Sequence, residues 1–183
     1  MLRPLDHDWR TMAATILIPA TIVFFPAAMA LAASMDLVTM TIPNRVCAAL
    51  AIGYFVLAVA VGVPWGVILI HLSCAAAVLA AMFALFSLGW IGGGDAKLAA
   101  ATALWLGWGM ILDYGVSAAV YGGALTLVIL LGRRFVLPTW LSRHEWIARL
   151  HDRKTGVPYG IALAAAGMML YPHTQIWQAA ASL

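Results

Sequence analysis

Residues 46–88 contain no Asp, Glu, Lys or Arg. They read as two apolar runs, 46–61 and 67–88, joined by the uncharged turn Gly62-Val63-Pro64-Trp65-Gly66. Hydrophobic residues make up 64% of the chain and charged ones 9%, so a water-soluble core of this size would lack polar surface to cover it. In lipid the backbone must satisfy its own polar groups, which a helix does within one segment. An all-α, polytopic membrane protein is therefore predicted.

Further apolar segments flank these two. The first, residues 12–35, is long enough for a hydrocarbon core of ~30 Å at about 1.5 Å per residue, and Pro19 and Pro26 are placed to kink it. Ala28-Met29-Ala30 resembles a signal-peptide cleavage site, but the run is long for a signal peptide. Residues 96–131 are too long for one span and are broken at Gly107-Trp108-Gly109, which predicts a short fourth and a longer fifth helix. A sixth span is expected over residues 157–176. Between the last two lies a loop, 132–155, in which Leu137, Trp140, Leu141, Ile147 and Leu150 recur at helical spacing among basic residues. That pattern predicts an amphipathic helix lying in the membrane interface. One membrane-embedded domain over residues 1–183 is expected.

Charge placement orients this path. With six spans, the loops around Asp36, around Asp95 and over 132–155 share one side. They hold Arg45, Lys97, Arg133, Arg134, Arg143, Arg149, Arg153 and Lys154, eight of the ten Lys and Arg residues. The other two, Arg3 and Arg10, are offset by Asp6 and Asp8. Basic loops mark the cytoplasmic side, so both termini are expected outside. The same rule accounts for the basic loop without nucleic acid. Cys47 and Cys74 lie in apolar runs with no C-x-x-C spacing and read as packing residues. His71 reads as a packed histidine and Asp113 as a solvated acid at a helix start.

Outside the basic loop, which also holds Glu145 and Asp152, two acids remain, Asp36 and Asp95, and the topology puts them at one mouth. An ionisable group beside a membrane segment costs roughly 2.5–3.5 kcal/mol on insertion scales, which makes both functional candidates. Asp95 follows Gly92-Gly93-Gly94 and opens a helix. The glycines permit positive φ and the close approach of another backbone, such as an extended substrate. The helix dipole favours the ionised carboxylate and burial the neutral one, and the two effects oppose each other. Two carboxylates at one depth suit aspartyl proteolysis: an ionised acid deprotonates water while its protonated partner donates to the scissile carbonyl, with one proton shared. Neither a metal nor a cofactor is required.

The pattern Asp36, then Ile42-Pro43-Asn44, then Gly92-Gly93-Gly94-Asp95-Ala96-Lys97 resembles the G-x-G-D aspartyl prepilin peptidases of A24 type. The likeness is greatest to the small TadV/CpaA-like members without a methyltransferase domain. Pro158-Tyr159-Gly160-Ile161-Ala162 also resembles them, so the likeness covers residues 34–167. It implies removal of the leader from Flp-type prepilins and pseudopilins at the cytoplasmic face of a bacterial inner membrane, beside the pilus or secretion machinery. It makes Asp36 and Asp95 the catalytic acids. Gly92, Gly93, Gly94, Lys97, Pro158, Tyr159 and Gly160 are then candidates for lining the substrate path, with Lys97 either biasing the acids or snorkelling to the interface. The paired C-x-x-C motifs that accompany methylation are missing, so methyltransferase activity is not expected. Two other classes fit an acid pair in a membrane: a proton-coupled transporter and a non-catalytic subunit of a pilus or secretion machine.

Overall fold

The computed structural model describes the backbone of residues 6–182 and the side chains of residues 15–182. The side chains of Arg3, Asp6, Asp8 and Arg10 lie outside them. Among the described residues every regular element is helical: α1 Asp6–Thr39, α2 Asn44–Ala60, α3 Trp65–Ser87, α4 Gly93–Leu106, α5 Ile111–Gly132, α6 Thr139–Ser142, α7 Glu145–His151, α8 Gly160–Leu170 and α9 Gln175–Ala181. Residues Thr15–Thr39 of α1, together with α3 and α5, are long and apolar enough to cross a membrane, and α2 is apolar but shorter. On α5, Leu112, Val116, Val120 and Leu127 face outward and are exposed. An apolar outer surface of that kind is suited to lipid rather than water.

The core forms around α4. Its residues from Leu98 to Leu106 are all buried, against α2, α3 and α8. This explains the low charge of the helix, since it has no lipid or water face to vary. At its centre Trp105 is fully buried and packs on Phe25 (ring centroids 5.0 Å apart), Tyr54 (5.6 Å) and Tyr171 (5.7 Å), one ring from each of three other segments. Its indole N–H donates to the Leu50 carbonyl of α2 at 3.0 Å, so the polar end of the ring is paired as burial demands.

Both ends of α4 are set by glycine. Gly92 is the N-cap, and Gly107 ends the helix at φ 68°, a left-handed conformation that an L-residue resists. His71 of α3 closes this end, its Nδ1–H donating to the Leu104 carbonyl at 2.9 Å. That carbonyl is one of the last four of α4, which lack intrahelical donors. His71 is thus the packed histidine expected.

Three expectations about element boundaries change. The first helix does not stop before Asp36 but runs on to Thr39, then turns through Met40 at φ 55° into Pro43, the N-cap of α2. The single amphipathic helix expected in the basic loop is two short ones, α6 and α7, separated where His144 is extended. Leu141 and Ile147 fall on different helices, each half-buried. The last span is interrupted at Tyr171–His173 by a 3-10 turn containing Pro172, which has no N–H to continue the α-helix. Thr174 then caps α9 by accepting from the Trp177 N–H.

Candidate active site

Asp36 stands in the last turn of α1 and is 5% exposed. Its Oδ2 accepts the Gly160 N–H at 2.7 Å, from the first residue of α8. The residue ahead of α8, Tyr159, gives no side-chain cap. A carboxylate from another helix therefore satisfies one of the free N-terminal N–H groups of α8 and sits at the positive end of its dipole. Gly160 must be glycine for this contact, since a Cβ there would lie 2.8 Å from Asp36 Oδ2 and 2.7 Å from Ile42 Cδ1.

Asp95 is half-buried in the first turn of α4, outside the three membrane-length helices. Its carboxylate reaches back to the Gly92 N–H, as an acid three residues past an N-cap does. Burial first, and the Asp36 charge second, push it up to about 6, against the pull of the Gly92 N–H. The opposition foreseen between dipole and burial thus falls on the side of burial.

None of the three glycines before Asp95 has positive φ; among the described glycines that conformation belongs to Gly62, Gly89 and Gly107. Gly93 and Gly94 are the first helical residues of α4, and what they supply is space. A Cβ on Gly94 would stand 3.2 Å from Ile42 Cβ and 3.3 Å from the Ile42 nitrogen, and one on Gly93 3.3 Å from the Phe86 ring. Ile42 therefore packs between Gly94 and Gly160, so the three separate sequence patterns meet at one side chain. Lys97 reinforces the junction, donating from Nζ to Asn44 Oδ1 at 2.9 Å.

Asp36 and Asp95 line one cavity of about 850 Å³. Gly92 and Tyr159 also line it, whereas Gly93, Gly94, Lys97, Pro158 and Gly160 do not. Tyr159 is held by its hydroxyl, which donates to the Ala118 carbonyl of α5 at 3.1 Å, and its ring fills the place a side chain at Gly122 would take. Sequence reasoning missed the remaining walls: Trp90, Met82 of α3, Tyr114 of α5, and Thr155-Gly156-Val157. Only the last group had a local signal, its adjacency to Pro158-Tyr159-Gly160. Two carboxylates on one cavity, one held by an N–H and one favouring its proton, can act on a water molecule and a carbonyl placed between them. Among the described residues no three or more His, Cys, Asp or Glu side chains are grouped so as to hold a metal ion.

Residues 23–132 match the model of the type IV leader peptidase family. This stretch includes both acids and α2 to α5. No curated protein and no solved structure matches the chain.

Proposed function

The chain belongs to the type IV leader peptidase family, and from that premise we propose that it is an aspartyl endopeptidase in which Asp36 and Asp95 are the catalytic pair. The observation that carries the reading is that both carboxylates face one cavity, with the Gly160 N–H on one of them. Asp36, as the ionised member of the pair, takes a proton from water. Asp95, which keeps its proton more readily, donates it to the carbonyl oxygen of the scissile amide as hydroxide adds to carbon. The tetrahedral intermediate then collapses: the C–N bond breaks as the proton on Asp36 passes to the leaving amine, and a hydroxyl proton of the intermediate returns to Asp95. Tyr159 and Gly92 border the extended substrate.

The substrates are prepilin-type proteins of the Flp class and their pseudopilin relatives. In this reading the chain is a single peptidase domain that crosses the inner membrane six times, with Asp95 in the first turn of α4 at the mouth. The cavity opens toward the cytoplasm, and the protein works beside the pilus or secretion machinery. Support for the cytoplasmic face comes from the eight basic residues in the three loops at that end.

Co-expression with a Flp-type prepilin tests the reading. A shift of the prepilin to the mature mobility is expected with the wild type and not with Asp36→Asn or Asp95→Asn. A transporter would leave the prepilin unprocessed in every case, and a scaffold would tolerate at least one substitution.

A further inference from the structure

We propose that Arg133 is a positioning residue for Asp36, acting through the chain segment that brings the Gly160 N–H to the carboxylate. The proposal rests on the peptidase reading and deepens it. Arg133 ends α5 and is 9% exposed, so its guanidinium sits inside the protein. Nε donates to the Leu150 carbonyl at 2.7 Å, and Nη2 to the carbonyls of Thr155 at 2.9 Å and Gly156 at 3.1 Å. One rigid fork thus gathers the end of α7 and the strand of chain that follows it. A lysine ammonium is a point charge and does not reproduce that spread of donors.

The gathered segment leads directly into the site. Thr155, Gly156 and Val157 form a wall of the cavity that Asp36 and Asp95 share. Pro158 follows, fully buried, with the φ of its ring fixed. Tyr159 is tied to α5 by its hydroxyl on the Ala118 carbonyl, and Gly160 then meets Asp36. From Thr155 to Gly160 the chain therefore hangs from α5 at two points, with little freedom between them. A second arginine secures the other side, Arg149 Nη1 donating to the Val38 carbonyl at 3.2 Å, two residues past Asp36. Without Arg133, three carbonyls lose their donors and the Gly160 N–H is no longer held in register with the carboxylate.

The full-length protein in detergent, as wild type, Arg133→Gln, Arg133→Lys and Arg134→Gln, provides the test. Amide hydrogen exchange at Gly160 is read beside steady-state cleavage of a prepilin. Arg133→Gln is expected to exchange Gly160 about tenfold faster and to lose about tenfold in kcat, with KM changed by less than about twofold. Arg133→Lys falls between, and carries the test if the glutamine variant does not fold. Arg134→Gln, altered at an exposed neighbour, matches the wild type. Unchanged Gly160 protection in both Arg133 variants would overturn the proposal, as would a rise in KM at constant kcat. Faster exchange beside a wild type that cleaves no prepilin would sink the peptidase reading while the tether from Arg133 to Gly160 stood.

Discussion

When two acids share one proton, their contributions are not separable by mutation. If Asp36 and Asp95 are the proposed dyad, Asp36→Asn and Asp95→Asn each lower cleavage by roughly 10²–10⁴-fold, and the double variant is no worse than either, because such a pair works as a unit. Additive losses in single-turnover assays would mean independent roles. The pH dependence follows from the same pair. Asp95 is pushed up to about 6 by burial and by Asp36, so its proton is present below that pH and lost above it. At lower pH Asp36 is protonated too, and no base remains. Cleavage against pH is therefore bell-shaped, its alkaline limb falling near 6; a rate still climbing through neutrality would remove Asp95 as the proton donor. At Gly160 a methyl group would lie 2.8 Å from Asp36 Oδ2. Gly160→Ala should cost about tenfold or more in kcat while the protein still elutes as a folded species, and unimpaired cleavage would separate the Gly160 contact from catalysis. Asp95 was legible because an acid is conspicuous among apolar residues. The role of Gly160 was not, since its partner lies 124 residues away in the chain.

At the scale of elements, local chemistry announced some boundaries and tertiary packing set others. Pro43-Asn44 marked the start of α2 and Gly107 the end of α4, both through backbone rules that act within a few residues. The run of α1 past Asp36 was not readable, because the carboxylate that looks like a helix breaker is accommodated by the N-terminus of α8. Nor was the division between α6 and α7, since the apolar spacing in residues 137–150 continues smoothly across it. The central place of α4 was hidden for a further reason: a helix buried on all sides and one facing lipid have similar compositions. Its C-terminal end offers a test that separates fold from chemistry. Gly107 has φ 68°, and a Cβ there would stand 2.7 Å from His71 Nε2. Gly107→Ala should destabilise the protein by at least ~1–2 kcal/mol, seen as a lower melting midpoint in detergent. Activity per folded molecule should be kept, because the change lies ~20 Å from Asp95 along a 14-residue helix. Loss of activity without loss of stability would show that the two ends of α4 are coupled.

For the molecule as a whole, the hydrogen bonds that charged side chains make between distant elements cluster at the end that holds the acids. Lys97 reaches Asn44, Arg149 reaches Val38, Arg133 reaches Thr155, and Asp36 takes the Gly160 N–H. Apart from these, long-range contact is mainly apolar packing around Trp105. The described charged contacts thus mark one end, and the cationic groups determine which side of the membrane that end faces. If that side is the cytoplasm, cysteines placed at Arg45 and Arg143 are labelled by a membrane-impermeant maleimide in inside-out vesicles and spared in spheroplasts. Both native cysteines are buried, Cys47 at 8% and Cys74 at 0% exposure, so they should add little background. The two positions lie on either side of α2 to α5, and a common response requires an even number of crossings between them. The membrane-length helices alone also satisfy that count, because two of them, α3 and α5, lie between the two sites. Shared labelling is therefore also met if α2 and α4 both stay within the membrane without crossing. A third cysteine at Trp65, 68% exposed at the start of α3, decides between the two. Labelling of Trp65→Cys from the outside, with Arg45 and Arg143 inside, requires α2 to cross and, with α3 and α5, α4 to cross despite its 14 residues. Labelling of all three from the inside would overturn the six-crossing path and, with α3 crossing, put Asp95 on the side opposite Arg45.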